Sequence, residues 1–348
     1  MNKIYSVSLP WIRHLPKAVP SCRYIAEQSS PGKENIVKLD PEYQEYTSVD
    51  MFRKRSFESK KPVVFARGHG SPTPLLPALD KWFAKDSQYN STTLSKHFDQ
   101  FHDIMVPYEL YAPTSAQQES LGLFRESLDV EETRDEVITR CWDLYFADSS
   151  KGQEFFQLHA PLRLIIKILK FNEVLHARGL QRIPLYVAQC SITDLPPALQ
   201  EDIPTPELVK HAGKGDLYGS SIWLGITPTY TPLHRDPNPN LFCQLSGTKV
   251  IRLMTPKMGD WLFSVIQAEL HRSGSSRIRT EEMMQGEERH KLHSAVWSTD
   301  PDKPAPRGTL EVVLNPGDAM FIPSNYWHSV KSVGENGELN GSVNWWFR

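Results

Sequence analysis

The spacing of apolar positions changes once along this chain. Ahead of about Arg182 the apolar residues recur at helical intervals in Leu94 to Met105, Asp135 to Phe146 and Pro161 to Leu175, with polar loops between them. The last of these patterns carries on to Arg178-Gly179, which puts a glycine where a helix C-terminus favours one. Earlier still, Lys61 to Gly68 reads as a short buried strand after a basic helical stretch around Met51 to Phe57. Residues up to about Tyr46 look loosely structured.

Beyond Arg182 the pattern becomes short β runs bounded by turn residues. These are Leu185 to Ala188, Ser221 to Thr227, Leu241 to Leu245, Lys249 to Leu253, Leu310 to Leu314, Ala319 to Ile322 and Ser342 to Phe347. Ser246-Gly247 joins two of them as a tight hairpin. Many short strands separated by turns imply a sandwich or barrel, so the expected class is α+β, a helical N-terminal half followed by an all-β core. Between Met254 and Pro306 lies a long polar insertion containing Arg272-Ser273-Gly274-Ser275-Ser276-Arg277. A connection of that length is usually functional or mobile, and a lid over a site is the expectation. The expected division is a leader over 1–46, a helical part over 47–180, and a β core over 181–348 with the insertion at 254–306.

Composition narrows the function. In 348 residues, 39 Lys+Arg against 41 Asp+Glu give a formal net charge of -2, so no electrostatic surplus points to nucleic acid. Cys22, Cys141, Cys190 and Cys243 lie far apart without Cys-x-x-Cys spacing, which argues against a zinc knuckle or a disulfide framework and for a reducing, intracellular setting. No apolar stretch approaches the ~20 residues of a membrane span. The leader has Lys3, Arg13, Lys17 and Arg23 before its first acid, Glu27, the composition of a mitochondrial presequence. Pro10, Pro16 and Pro20 would interrupt a presequence helix, so an untargeted cytoplasmic or nuclear protein stays open beside mitochondrial import.

The chemistry concentrates in Thr231-Pro232-Leu233-His234-Arg235-Asp236-Pro237-Asn238-Pro239-Asn240 and, ninety-odd residues on, Trp327-His328. Two neutral imidazoles and one carboxylate make the facial triad of non-heme Fe(II) oxygenases, which leaves coordination positions open for an oxidant and a co-substrate. A lone His-x-Asp pair is weak, since any two such residues on a strand share a face. Completion by His328 on a second strand-like run is much less expected by chance. His234-Arg235-Asp236 also mimics a kinase catalytic loop, but Leu241 stands where that loop needs Asn, and the Gly-rich, strand-Lys and Asp-Phe-Gly motifs are missing. Lys249, in step with Ile251 and Leu253, either reaches solvent or meets an anion inside the barrel. Thr231, Asn240 and Tyr186 could flank the carboxylate of an acidic co-substrate.

These residues carry a family resemblance. The segments Leu185-Tyr186-Val187-Ala188-Gln189, Ser221-Ile222-Trp223-Leu224-Gly225, Thr231-Pro232-Leu233-His234-x-Asp236-Pro237-x-x-Asn240, Gln244-x-x-Gly247-x-Lys249, Pro316-Gly317-Asp318-x-x-Phe321-Ile322-Pro323, Trp327-His328 and Ser342-Val343-Asn344-Trp345-Trp346 resemble the Jumonji-C oxygenases. Within that group the chain is most similar to the hydroxylase-type, cupin-like members, which include arginyl-residue hydroxylases and an asparaginyl hydroxylase. The resemblance runs from about Val49 to Arg348 and is specific from Leu185 onward. It implies a double-stranded β-helix, the jelly-roll or cupin core. It further implies that His234, Asp236 and His328 bind Fe(II), that Lys249 pairs with the distal carboxylate of 2-oxoglutarate, and that Thr231 and Tyr186 hydrogen-bond that carboxylate. Asn240 falls beside the co-substrate and Asn344 lines the site from the last strand. Gln189, Trp223 and Trp346 are read equally well as core packing.

The reaction so implied consumes O2 and 2-oxoglutarate and hydroxylates a C–H, releasing succinate and CO2. A protein or peptide substrate is expected, and family analogy favours hydroxylation of a protein side chain. The same chemistry on a methylated protein, a tRNA or a small metabolite is the alternative, and a silent cupin serving as a binding module is a second. A homodimer is left open.

Overall fold

The computed structural model describes residues 35–40, 48–86, 91–146, 153–271, 281–334 and 337–348. The chain divides into units 1–34 and 35–348. Residues 1–34 and 41–46 of the leader and the Arg272 to Arg277 segment lie outside the described residues, whereas Ile36–Lys38, expected to be loosely structured, is a strand paired in parallel with Thr309 to Glu311.

The strands are Ile36–Lys38 (β1), Val63–Phe65 (β2), Phe83–Lys85 (β3), Thr92–Leu94 (β4), Met105–Tyr111 (β5), Phe155–Pro161 (β6), Leu185–Ser191 (β7) and Leu217–Ile226 (β8). They continue with Tyr230–Arg235 (β9), Asn240–Ser246 (β10), Thr248–Met254 (β11), Thr309–Leu314 (β12), Ala319–Ile322 (β13), Trp327–Val333 (β14) and Leu339–Phe347 (β15). A five-stranded sheet runs β1-β12-β11-β14-β9 and an eight-stranded sheet runs β2-β13-β10-β15-β8-β7-β5-β6. The last eight strands thus divide four and four between two facing sheets, with the paired β11 and β12 both in the smaller one, which is the jelly roll the resemblance implies.

The period of two decides which side chains meet between the sheets. Phe242, Met320 and Ile322 from the larger sheet pack there with Ile251, Leu253, Val312, Leu314 and Val330 from the smaller. The alternate residues of the larger sheet, among them Leu241, Cys243, Phe321, Val343, Trp345 and Phe347, turn outward into the main core with the N-terminal elements. Phe52 meets Phe321 edge-on at 5.0 Å and Phe57 stacks on Phe347 at 5.6 Å, which explains the apolar positions in the basic stretch before β2. Ser48 caps that helical stretch by accepting from the Met51 amide at 3.2 Å.

Three expectations change. Ser246-Gly247 is not a hairpin: β10 pairs with β13 and β15, and β11 with β12 and β14, so this turn carries the chain from the larger sheet to the smaller. The half before Arg182 is not uniformly helical: Lys96–Phe101 is a short 3-10 helix, and β5 and β6 extend the larger sheet. β6 alternates buried and exposed side chains from Phe156 to Ala160, a period of two hidden beside the strongly helical Arg163–Ala177. The insertion after Met254 folds into helices Pro256–Glu269 and Gly286–Trp297. Leu262, Phe263, Ile266, Leu292 and Val296 bury against Leu233, Met254 and Trp327 on the outer face of the smaller sheet. Those apolar residues recur at helical spacing, with polar residues on the opposite faces giving the whole insertion a polar look. No helix among the described residues is long and apolar enough to cross a membrane.

Candidate metal and co-substrate site

Adjacent strands of the smaller sheet bring the His-x-Asp pair and the distant histidine together. His328 of β14 pairs directly with His234 of β9. Between His328↔His234 and Val330↔Thr231 the register slips, two steps on β14 matching three on β9. The extra residue sits at Pro232-Leu233, where proline has no amide hydrogen for the ladder to lose. This bulge lets Thr231 and His234, three apart, line the same cavity, which strict alternation would forbid.

Each imidazole is fixed from behind. Nδ1 of His234 lies 2.8 Å from the Pro232 carbonyl, and Nδ1 of His328 lies 3.2 Å from the Tyr326 carbonyl. A carbonyl only accepts, so Nδ1 carries the proton and donates, and Nε2 keeps its lone pair. Those Nε2 atoms stand 3.9 Å from Asp236 Oδ1 and 3.7 Å from Asp236 Oδ2. One ligand atom from each of the three residues falls within 4.8 Å of the others, and all three are buried.

Asp236 is oriented with equal care. Its Oδ2 accepts from Trp346 Nε1 at 2.7 Å and from Asn240 Nδ2 at 3.2 Å. Its Oδ1 is buried and has no hydrogen-bond partner among the described residues. A buried carboxylate oxygen left unmet is costly, and a cation at the triad would satisfy it. The donor set, two neutral nitrogens and one carboxylate, fits a divalent first-row metal.

The hydrogen bonds continue across the larger sheet. Asn344 Nδ2 donates to Asn240 Oδ1 at 3.3 Å, and Trp223 Nε1 donates to Asn344 Oδ1 at 2.7 Å. The register explains the chain, because Asn240 pairs with Trp346 and Phe242 with Asn344 on β15. Trp223 and Trp346, read at first equally well as packing, are therefore tied to the site. The sequence held the signal for Trp346: Ser342, Asn344 and Trp346 share one face of β15, and Asn344 was already placed at the site.

Lys249 faces inward beside Ile251 and Leu253 and is 1% exposed. Its Nζ donates to Ser342 Oγ at 2.8 Å and lies 5.4 Å from the Phe242 ring and 5.7 Å from the Tyr186 ring. Ser342, Phe242 and Val330 escaped sequence reasoning because they look like ordinary strand residues. Tyr186, Thr231, His234, Asp236, Asn240, Lys249, His328 and Asn344 all line one cavity together with Trp223 and Trp346. Gln189 does not line it and is exposed, with a left-handed φ of 54° at an irregularity in β7.

A jelly roll that brings two histidines and an aspartate together at the ends of adjacent strands has the ligand arrangement of a cupin. The cupin-like domain model matches residues 48–348, and the chain belongs to that family. Among similar proteins, JmjC domain-containing protein D of Dictyostelium discoideum is 30% identical over 43% of this chain and 33% of its own length. Lysine-specific demethylase 8 of Danio rerio is 31% identical over 47% of this chain and 36% of its own. Jumonji C domain-containing protein 5 of Drosophila melanogaster is 30% identical, with the same two shares, 47% and 36%. The alignment thus spans about a third of the length of these curated relatives.

Proposed function

We propose that the protein is an Fe(II)- and 2-oxoglutarate-dependent dioxygenase that hydroxylates a protein side chain, with a basic residue as the expected target, and releases succinate and CO2. The observation that carries this is the triad itself: two Nδ1-anchored imidazoles presenting Nε2, beside a carboxylate oxygen with no hydrogen-bond partner among the described residues. His234, Asp236 and His328 would hold the metal. When bound, Fe(II) supplies the activation of O2 that is coupled to oxidative decarboxylation of the 2-oxo acid.

The chain's own groups supply binding and orientation. Lys249 presents a buried ammonium to the distal carboxylate, with Thr231 and Tyr186 beside it. The cavity at the triad is narrow, about 30 Å³, and the Tyr186 and Phe242 rings line it beside Lys249. Burial then excludes water from the reacting centre. Asn240, Asn344 and Trp346 hold the carboxylate of Asp236 in one orientation.

The lysine-demethylase name of the Danio rerio relative favours one second reading, removal of an N-methyl group. Hydroxylating an N-methyl carbon gives a hemiaminal that collapses to formaldehyde, whereas a carbon without an adjacent heteroatom keeps its hydroxyl. Mass spectrometry of cell-extract peptides treated with the enzyme or with its His234→Ala variant separates them. The account expects one added oxygen on a specific peptide, dependent on His234. Enzyme-dependent methyl loss with formaldehyde would establish the second reading, and oxygen gained only by metabolites or RNA would defeat the protein substrate.

A further inference from the structure

A second cavity, of about 410 Å³, shares only Tyr186 with the triad cavity among the described lining residues. It is formed where the ends of β5 and β7 and the β8–β9 connection meet the Gly286–Trp297 helix. Its size falls within the ~300–1,000 Å³ of small-molecule sites. Neither the triad nor Lys249 lines it.

Arg289 dominates this cavity. The residue is 8% exposed, and its guanidinium carbon lies 4.0 Å from the Tyr111 ring centroid and 4.7 Å from that of Tyr230. Stacking of this kind serves the flat faces of a guanidinium and leaves its in-plane donors to be met by hydrogen-bond acceptors. Its Nη1 is buried without a hydrogen-bond partner among the described residues. A buried cationic donor without an acceptor is expensive, and an oxyanion supplies what is missing.

The charges around it point the same way. Lys331, His290 and His293 line the cavity with Arg289, against Glu109. Burial first, and then the neighbouring Lys331 and Arg289, hold His293 down at about 4, so near neutrality it adds no charge. Burial and then Arg252 push Lys331 down to about 8, which keeps it mostly protonated at pH 7. Glu154 accepts from the Tyr111 hydroxyl at 3.3 Å and adds a second acid near this wall. Phe155, Leu185, Ile226 and Met284 supply apolar lining for the body of a ligand.

We propose that this cavity is a second ligand site, taking a small organic oxyanion, a carboxylate or phosphate monoester on an apolar or aromatic body. Arg289 is its anchor and Lys331 its second charge. Nothing in this inference depends on the oxygenase reading.

The test is calorimetric titration of the full chain at pH 7 with benzoate and with phenyl phosphate, the two head groups, and with benzyl alcohol as the uncharged analogue. At least one of the two anions should bind and benzyl alcohol should not, with the stronger anion identifying the head group. Arg289→Met should weaken that anion on the order of tenfold to hundredfold, the value of a charge-assisted bond. Lys249→Ala, in the other cavity, should leave it within about twofold of the unaltered protein. Should Arg289→Met melt early, Lys331→Met at the half-buried edge must still weaken the anion. Failure of both anions to bind, unchanged affinity in the arginine variant, or loss on Lys249→Ala would each overturn the proposal.

Discussion

Replacing Trp346 by Phe removes one donor from Asp236 while keeping an aromatic ring on β15. The indole nitrogen stands 2.7 Å from Oδ2, the shorter of the two bonds that orient this carboxylate, and Asn240 at 3.2 Å would remain. A hydrogen bond to a charged group contributes about 1.5–3 kcal/mol. Loss of a partner that orients a metal ligand typically costs about 10–100-fold in metal affinity, which is roughly 1.4–2.8 kcal/mol. The two routes agree, so the variant should bind a divalent metal roughly ten- to a hundredfold more weakly. Trp346 is only partly buried, so the fold should hold, and a thermal melt checks this. Titration with Mn(II), which stays divalent in air, reads the affinity directly, and the Fe(II) concentration giving half-maximal turnover should shift in parallel. Mn(II) affinity within about twofold of the unaltered protein, in a variant that melts normally, would refute the orienting role.

Lys249→Ala should raise the 2-oxoglutarate concentration for half-maximal turnover by about 10–100-fold, since a charge-assisted bond contributes about 1.5–3 kcal/mol, while leaving the metal requirement near its original value. An unchanged 2-oxoglutarate requirement would move the carboxylate elsewhere. Gly259→Ala should destabilise the protein by about 1–3 kcal/mol, because an added methyl would stand 2.1 Å from Trp327, the residue before His328. An unaltered thermal midpoint would show that the helix can shift freely. His293 sits at about 4 in the folded protein against an ordinary 6.5. Between those values the unfolded chain takes up the proton first, so its contribution to stability is complete above about 6.5 and falls as pH drops toward 4. His293→Gln should flatten thermal midpoint against pH over that window, and parallel curves would contradict the burial.

Much of the jelly roll was legible because short runs of strand-forming residues are bounded by turn residues, and Lys249 turns inward in step with Ile251 and Leu253; Ser246-Gly247, which reads as a hairpin, is instead the crossing from the larger sheet to the smaller, a difference that only the pairing of the strands reveals. The triad was legible as residue types at a spacing. What spacing could not give was the bulge at Pro232-Leu233, which puts Thr231 on the same face as His234, or the donors to Asp236. Trp223 and Trp346 are large and apolar in every part except one N–H, so a single sequence cannot divide packing from hydrogen bonding. It took the register of β8, β15 and β10 to connect them. β5 and β6 were hidden by neighbouring helical periodicity, and the helices after Met254 by polar residues on their exposed faces. Arg289 lay beyond reach, because its surroundings come from β5, β9 and a helix far apart in the chain.

The central claim is that His234, Asp236 and His328 hold an iron that couples 2-oxoglutarate to oxygen. The direct measurement is succinate formed from 2-oxoglutarate by the purified full chain with Fe(II), in air and with cell extract as the source of substrate. It is run beside the Asp236→Ala variant, with melting curves to show that both are folded. The account predicts succinate in step with consumed 2-oxoglutarate for the unaltered protein, and background alone for the variant. Turnover undiminished in Asp236→Ala, or a folded, iron-supplied unaltered protein that forms no succinate, would contradict it.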